Sequence, residues 1–397
     1  MSKSIPDVRF EKFSGDWGEK KLGDVAEFNP KSTLPEIFEY IDLGAVLGTI
    51  LTSHRTEYKN TAPSRAQRLA KQGDVFYQTV RPYQKNNYLY NLPYDNYVFS
   101  TGYTQMRPYV DGYFLLSILQ ENGFVSNVLE RSTGTSYPAI NSNDLSQMYI
   151  KVPISKNEQQ KIGALFKQLD DTIALQQQLI EQQQQYKKAM LQKMFPQKGE
   201  RVPKVRFDGF SGEWINQKIN NLVTPVVREV PKPKEPYKRL SVRSHAKGTF
   251  HQRVEDPSTV SMDKLYVIKE NDLVVNITFA WEHAIAIAKK EDDGLLVSHR
   301  FPTFIIDKSD INFINQLVTK ENFRRQLDLI SPGGAGRNRV LNKNDFINLS
   351  VLVPKSLEEQ QKIGTLFKQL DDTIALHEKK LEDYQQLKKA LLQRIFV

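Results

Sequence analysis

The sequence predicts an α+β protein in which two mixed α/β domains are joined by two long antiparallel coiled-coil helices, the whole a pseudo-twofold tandem duplication. Three observations predict this. First, "EQQKIGALFKQLDDTIAL" at Glu158 to Leu175 returns 201 residues later as "EQQKIGTLFKQLDDTIAL", with Ala164 against Thr365 as the single difference. Second, "VRFEKFSGDW" at Val8 to Trp17 returns as "VRFDGFSGEW" at Val205 to Trp214, and "LQKMF" at Leu191 as "LQRIF" at Leu392. Third, "INSNDLSQMYIKVP" ending at Pro153 aligns with "LNKNDFINLSVLVP" ending at Pro354. Each half reads head motif, variable block, strand into Val-Pro, long helix. A period near 200 is too long for a solenoid. The boundaries this sets are a first domain over 1–154, a helix over 155–196, a second domain with its linker over 197–355, and a second helix over 356–397.

The head motifs are short and aromatic and precede each block. Within the blocks, "GDVFYQTV" at Gly73 and "NDLVVNIT" at Asn271 read as matching strands, rich in β-branched and aromatic residues. "YVFST" at Tyr97 matches "LLVSH" at Leu295. Helical patterns occupy Tyr113 to Arg131 and Ile311 to Ile330. The long helices begin at Ser155 and Ser356, each three residues before a glutamate, which predicts a capping box. Apolar residues then recur at three and four: Ile162, Phe166, Leu169, Ile173 and Ile180, and in the second copy Ile363, Phe367, Leu370, Ile374 and Leu381. About forty helical residues rise about 60 Å. Two such helices in one chain predict an intramolecular antiparallel pair.

The composition is that of a soluble globular protein. The 397 residues carry 55 Lys and Arg against 46 Asp and Glu, a net +9. That is a mild bias towards a polyanion, since cationic side chains gain by releasing counterions from nucleic acid. No cysteine is present, which excludes disulfides and thiolate metal sites. The opening "MSKSIPDVRF" has no apolar h-region, and no apolar run is long enough to span a bilayer. The expectation is a cytoplasmic protein without a membrane role.

Divergence between the halves is informative in itself. A helix repeated almost unchanged does the same task twice: pairing, and binding a partner that comes in two copies. Blocks that have diverged do different tasks.

The doubled head motif, the Val-Pro strand running into "EQQKIGxLFKQLDDTIAL" and the tail "LQKMF" resemble the specificity subunits of type I restriction-modification systems, the HsdS family. The resemblance covers the whole chain in the family's order. It implies two target recognition domains, each reading one half of a bipartite, asymmetric site on double-stranded DNA. It implies helices that act as a ruler for the spacer and dock two methyltransferase subunits, each acting on adenine N6. Two restriction/translocase subunits would complete the complex. Such a subunit is not itself an enzyme, and S-adenosylmethionine, ATP and Mg would sit on its partners.

Candidate DNA contacts are basic and amide residues interleaved with aromatics. In the first block these are Arg55, Gln78, Arg81, Tyr83, Lys85, Tyr103 and Arg107. In the second they are Arg239, Arg243, His245, Lys247, Asn276, Trp281, His299 and Arg300, with Arg337 and Arg339 from the Gly-rich "SPGGAGRNR". Arg and Lys suit guanine O6/N7, and Asn and Gln suit adenine N6/N7. Lys167, Asp170 and Asp171, with Lys368, Asp371 and Asp372, are the candidate partner contacts on the helices. Adjacent carboxylates diverge by about 100° on a helix, so these pairs are not catalytic dyads.

Two rival readings carry motifs. "NLPY" at Asn91 to Tyr94 has the form adenine methyltransferases use around a flipped base. The upstream "DLGAVLG" at Asp42, however, has Gly-x-x-x-Gly spacing, not Gly-x-Gly, and the second half repeats neither motif. The competing assignment for "NLPY" is a loop between two strands. The other rival is a coiled-coil scaffold without a nucleic-acid role. The six histidines fit no metal-binding spacing, so no metal is assigned.

Overall fold

A computed structural model describes residues 5–331, 333 and 339–396. The chain divides into two compact units. Unit 1 comprises residues 1–179 and 378–397, and unit 2 comprises residues 180–377.

Unit 1 holds two four-stranded sheets. One has the order Arg55–Tyr58, Ile37–Ile41, Tyr97–Ser100, Ala66–Leu69, and the other Ala26–Phe28, Tyr103–Pro108, Val75–Gln78, Tyr88–Leu89. Unit 2 repeats the plan. Arg239 in Tyr237–Val242 pairs in parallel with Leu296, as Tyr97–Ser100 pairs in parallel with Ile37–Ile41. Thr224–Val226, Thr303–Ile305, Leu273–Val275 and Ile285–Ile287 form the second sheet. In both units a two-stranded ladder joins the strand after the head motif to the strand before the long helix. Gly18–Lys21 pairs with Tyr149–Val152, and Ile215–Lys218 with Ser350–Val353. The predicted helical stretches each form two short helices, Gly112–Ile118 with Asn122–Glu130 and Ile311–Val318 with Glu321–Leu329. The blocks therefore share a fold despite having lost most identity.

The long helices run over Lys156–Met194 and Leu357–Ile395. In unit 1 the start of the first meets the end of the second: Phe166 stacks on Phe396, and further along Lys388 pairs with Asp170. In unit 2 Phe367 meets Phe195 and Lys187 pairs with Asp371. As one number rises the other falls, so the segments are antiparallel. Most of the predicted seam is buried, with Ile173, Leu370 and Leu381 half-buried, but much of it faces a domain core. Ile162, Phe166 and Leu169 join Leu22, Val75, Leu115 and Phe396 in one cluster. Ile363 and Phe367 join Trp214, Leu273, Phe313 and Phe195 in the other. The repeated tail motif thus supplies a phenylalanine to each core.

The expected capping boxes are replaced by a different bond. Ser356 Oγ accepts from the Glu359 N–H at 3.4 Å, but the Glu359 carboxylate takes a bidentate guanidinium, Arg206 Nε at 2.7 Å and Nη2 at 2.8 Å. In unit 1 Arg9 donates to Glu158 at 2.7 and 2.9 Å. The head-motif tryptophans add a third donor, Trp17 at 3.3 Å and Trp214 at 3.4 Å. The same arginines bond the carbonyls of Gly15 and Gly212, both at 2.6 Å, and so fold the head motif around the glutamate. The next glutamine is used too: Gln159 Nε2 donates to Pro153 O at 2.8 Å.

Gly163 and Gly364 are required by a close approach. Asp111 caps the helix Gly112–Ile118 and Asp310 caps Ile311–Val318, each accepting a backbone N–H at 2.8 Å. A Cβ on Gly163 would lie 2.1 Å from Asp111 Oδ1 and 3.0 Å from Phe114 N; on Gly364 it would lie 2.1 Å from Asp310 Oδ1 and 2.8 Å from Phe313 N. Alanine gains about 1 kcal/mol of helix propensity over glycine. Loss of the cap costs about 1 kcal/mol, and overpacking adds about 1–3 kcal/mol. Gly163→Ala and Gly364→Ala are therefore each expected to lower the melting temperature by several degrees in differential scanning calorimetry. A rise in either variant would mean that the short helices are not held against these glycines.

Candidate nucleic-acid interface

The candidate surface of unit 2 is built around a hairpin and a turn. The strands Tyr237–Val242 and Thr249–Val254 are joined by residues 243–248, where Arg243 N donates to Gly248 O at 2.9 Å. His245 and Ala246 stand at φ 61 and 51, the left-handed region that side chains rarely adopt. The hairpin tip is held there by the 3-10 turn Ala280–Glu282. His245 N donates to Glu282 O at 2.7 Å, Ala246 N to His283 O at 2.8 Å, and Ser244 Oγ to Glu282 Oε2 at 2.6 Å. The backbone is thereby satisfied, and Arg243, His245 and Lys247 are exposed around a turn that carries Trp281.

A cleft of about 270 Å³ lies at the foot of the turn, with Arg239, Gln252, Asn276, Phe279, Ser298 and Arg300 among its lining residues. Arg239 Nε bonds Gln252 Oε1 at 2.8 Å, which presents both on one side. The cleft gathers cationic and amide donors at a rim where a base edge or phosphate could be met. His299 is exposed next to Arg300 but lines a separate apolar recess with Tyr266, Phe301 and Phe304. Arg339 is tied inward: its Nη2 donates to Asp328 Oδ1 at 2.6 Å, and its guanidinium lies 5.2 Å from the Trp281 ring. Arg337 lies outside the described residues.

Unit 1 has the corresponding turn, Pro82–Gln84, with Tyr83 exposed. Arg81 precedes it and lies over Tyr137 at 4.2 Å. Lys85 closes it, and burial holds its pKa below the ordinary lysine value. Its Nζ donates to Gln120 O at 2.7 Å and Asn122 Oδ1 at 2.5 Å, so Lys85 fixes the turn and is not a free phosphate contact. A small hairpin, Val46–Leu47 with Ile50–Leu51, docks beside the turn through Gly48 N to Asn86 Oδ1 at 2.8 Å. The Gly-x-x-x-Gly stretch is this hairpin. It exposes Leu47 by 70% and Ile50 by 52%, two residues the sequence reading missed. The alternation "VLGTIL" around a Gly-Thr turn was the available signal. Arg55 lies on an outer strand over Tyr40 at 4.7 Å and is paired with Glu57 and Asp42.

Besides Lys85 and Arg339, four expected contacts have other work. Tyr103 is fully buried in the cluster of Phe76, Phe99 and Tyr90. Gln78 is buried, and its Nε2 braces the turn by bonding Val80 O at 2.6 Å and Gln84 Oε1 at 2.8 Å. Asn276 is 7% exposed and its Oδ1 accepts from Thr278 N at 3.1 Å, so only its edge reaches the cleft. Arg107 is bound to the buried Asp74 through two bonds of 2.9 Å, as Arg228 is bound to Asp272 in unit 2. "NLPY" falls in the loop between Tyr88–Leu89 and Tyr97–Ser100.

The comparisons with known proteins agree with this architecture. The sequence profile described as the type I restriction modification DNA specificity domain matches residues 14–184 and 250–385. The chain belongs to that family. A curated relative, the type I restriction enzyme HindI specificity subunit of Haemophilus influenzae, is 27% identical over 192 residues, which span 45% of this chain and 41% of that relative. The S subunit of a type I restriction-modification system from M. genitalium has a similar fold, with a TM-score of 0.65 at 13% identity over 99% of both chains. A chain from a structure of complex assembly and conformational transition of the type I R-M system gives a TM-score of 0.52 at 19% identity, over 97% of this chain and 99% of that one.

In this specificity-domain protein the helix carboxylates divide into two kinds. Asp171 and Asp372 are exposed and pair along their own helix with Lys167 and Lys368. Asp170 and Asp371, expected at a partner surface, pair with Lys388 and Lys187 of the other helix; Asp170 is largely buried there, whereas Asp371 stays 40% exposed. Burial raises the Asp170 pKa against the opposing pull of Lys388. Among the described residues no group of three or more His, Asp and Glu could hold a metal, and no helix is long and apolar enough to cross a membrane.

The placement of Tyr103 can be checked directly. Tyr103→Ala should cost about 3–5 kcal/mol of stability. Tyr103→Phe should leave DNA affinity unchanged in fluorescence anisotropy. A loss of DNA binding in Tyr103→Phe at unchanged melting temperature would return Tyr103 to the interface.

Proposed function

We propose that this chain is the DNA specificity subunit of a type I restriction-modification complex, with each unit reading one half of a bipartite, asymmetric site on double-stranded DNA. The observation that carries this is the contrast within each unit. One shared frame of helix, head motif and ladder holds a surface of cationic, amide and aromatic side chains that differs between the units. Unit 2 offers Arg239, Arg243, Lys247 and Arg300 where unit 1 offers Arg81, Tyr83, Leu47 and Ile50. Guanidinium groups suit guanine, and exposed aliphatic side chains suit the thymine methyl group. The subunit is non-catalytic. Adenine-N6 methylation belongs to two methyltransferase subunits with S-adenosylmethionine, and cleavage to two restriction/translocase subunits with ATP and Mg. The paired helices set the spacer between the half-sites.

The experiment exchanges residues 22–148 for the same block of a relative. Those limits keep Trp17 and the ladder of Gly18–Lys21 with Tyr149–Val152. Sequencing of methylated adenines in cells carrying the hybrid should show one half-site changed and the other intact. A change in both would sink the modular reading. Arg300→Ala should relax the sequence at one position only, by about 1–3 kcal/mol.

Partner docking is assigned to the outward stripe of the repeated helix. Lys167, Asp171 and Leu175 have identical, exposed counterparts in Lys368, Asp372 and Leu376. Leu175 and Leu376 are 68% and 53% exposed and belong to neither domain core. An exposed leucine one turn after an ion pair is what a docking partner would cover. Leu175→Glu and Leu376→Glu should each remove one copy of the methyltransferase subunit, and the double variant both, as counted by native mass spectrometry. An intact two-copy complex in the double variant would move the docking surface elsewhere.

A further inference from the structure

The 3-10 turns of the two units match at their central and closing residues while their sequences differ, and they open differently, on Arg81 at φ 56 and on Phe279 at φ −123. Tyr83 stands at the centre of one and Trp281 at the centre of the other. The two are 198 positions apart, as are the closing residues Lys85 and His283, and as are Gln120 and Val318, whose carbonyls receive them. Lys85 Nζ donates to Gln120 O at 2.7 Å, and His283 Nε2 donates to Val318 O at 2.6 Å. That bond places the imidazole proton on Nε2, and burial keeps the His283 pKa below the ordinary value, so the ring is a neutral donor. Lysine and histidine share little beyond an N–H, yet each closes its turn with one bond to the same carbonyl.

Both turns are strained and braced. Lys85 and His283 stand at φ 56 and 67, and Arg81 at φ 56, where only glycine is at ease. Such a conformation persists when its surroundings determine it. Here they do: the closing bond, the Gln78 brace in unit 1 and the docked hairpin in unit 2 all bear on the turn. A guanidinium–aromatic stack ties each turn to the loop after the second short helix, Arg81 on Tyr137 and Arg339 on Trp281. The product of all this is an aromatic ring at a fixed place outside the core. Tyr83 is 49% exposed, and neither Tyr83 nor Trp281 belongs to a core cluster. Trp281 is half-buried with Arg339 over its ring, and neither ring is part of a core. Their retention through a divergence that replaced nearly every neighbour calls for a ligand that both half-sites share.

We propose that Tyr83 and Trp281 are base-stacking residues, each laying its ring on the face of a DNA base, one in each half-site. Every base offers a π-face, so stacking tolerates any sequence. This explains why the rings are kept when the residues around them change. In a duplex such a face becomes available where a step is opened or a base is turned out. The rigid turn suits that task, because its order is already fixed before DNA arrives and less entropy is lost on binding. The inference rests on the reading of the chain as a DNA specificity subunit.

The test uses the chain assembled with its methyltransferase subunits. Tyr83→Ala and Trp281→Ala should each weaken binding roughly 5- to 100-fold on cognate and unrelated duplexes alike, with the methylated sequence unchanged. The slope of affinity against salt should stay the same, since no phosphate contact is lost. Tyr83→Phe and Trp281→Phe should keep most of the affinity. The chain has three tryptophans, and Trp17 and Trp214 are buried. Adding duplex should therefore quench a fluorescence component that the Trp281→Phe complex lacks. Undiminished binding in both alanine variants, or a shallower salt slope, would overturn the stacking role while leaving the specificity reading in place. A wild-type complex that binds no duplex would overturn both.

Discussion

The buried glutamate at the start of each long helix is the constraint on which the structure turns. Glu158 and Glu359 are 1% exposed, and an isolated carboxylate at such a site would cost several kcal/mol. Each is made tolerable by a bidentate arginine and an indole N–H, both from the head motif of its own half. Removing one partner would leave a buried charge alone, which typically costs about 3–5 kcal/mol. The same head motif also receives the end of the other helix. Val8 N donates to Arg394 O at 3.0 Å, and Val205 N to Lys193 O at 3.0 Å. One short peptide therefore ties the start of one helix to the end of the other. Phe396 and Phe195 then enter the cores beside Trp17 and Trp214. Each compact unit needs three stretches of chain, and the three repeated motifs are the three stretches that meet there.

With the frame fixed in this way, the variable blocks are free to change. Their sheets keep the strand order, with Glu229–Pro231 added as a fifth strand in unit 2, while the hairpin tips and turns carry different chemistry. The turn around Tyr83 and that around Trp281 show how far the freedom extends. A lysine in one unit and a histidine in the other make the same bond to the same carbonyl. What is retained is a geometry, and the residues that produce it vary.

This explains which parts were legible in the sequence. Repeats, strand patterns, the helix lengths and the family order depend on periodicity and identity, and these are visible in one dimension. The role of Glu158 was not, because Ser-x-x-Glu is the same string whether the carboxylate caps its own helix or receives Arg9 from 149 positions away. Asp170 and Asp171 are equally charged neighbours, and only the path of the second helix decides that Asp170 faces Lys388. In the candidate interface, Tyr103 and Tyr83 look alike as tyrosines beside basic residues. One lies on a strand buried along most of its length, the other on a turn. Gln78 braces the turn through Val80 O and Gln84 Oε1, since an amide that suits adenine can also hold a loop.

The internal duplication separates these cases in a way that one copy could not. Identical and buried pairs, such as Glu158 with Glu359, Gly163 with Gly364 and Phe166 with Phe367, are explained by the fold, because each has a partner in its own unit. Different side chains at corresponding places, such as Tyr83 with Trp281, are what reading unlike targets would leave. Identical and exposed pairs are left over. Lys167 with Lys368 and Leu175 with Leu376 fill no core, and an exposed i to i+4 ion pair contributes only about 0.3–0.5 kcal/mol. Stability alone does not account for keeping them alike. An external constraint, the same for both helices, would account for it, and two copies of one docking partner would impose such a constraint.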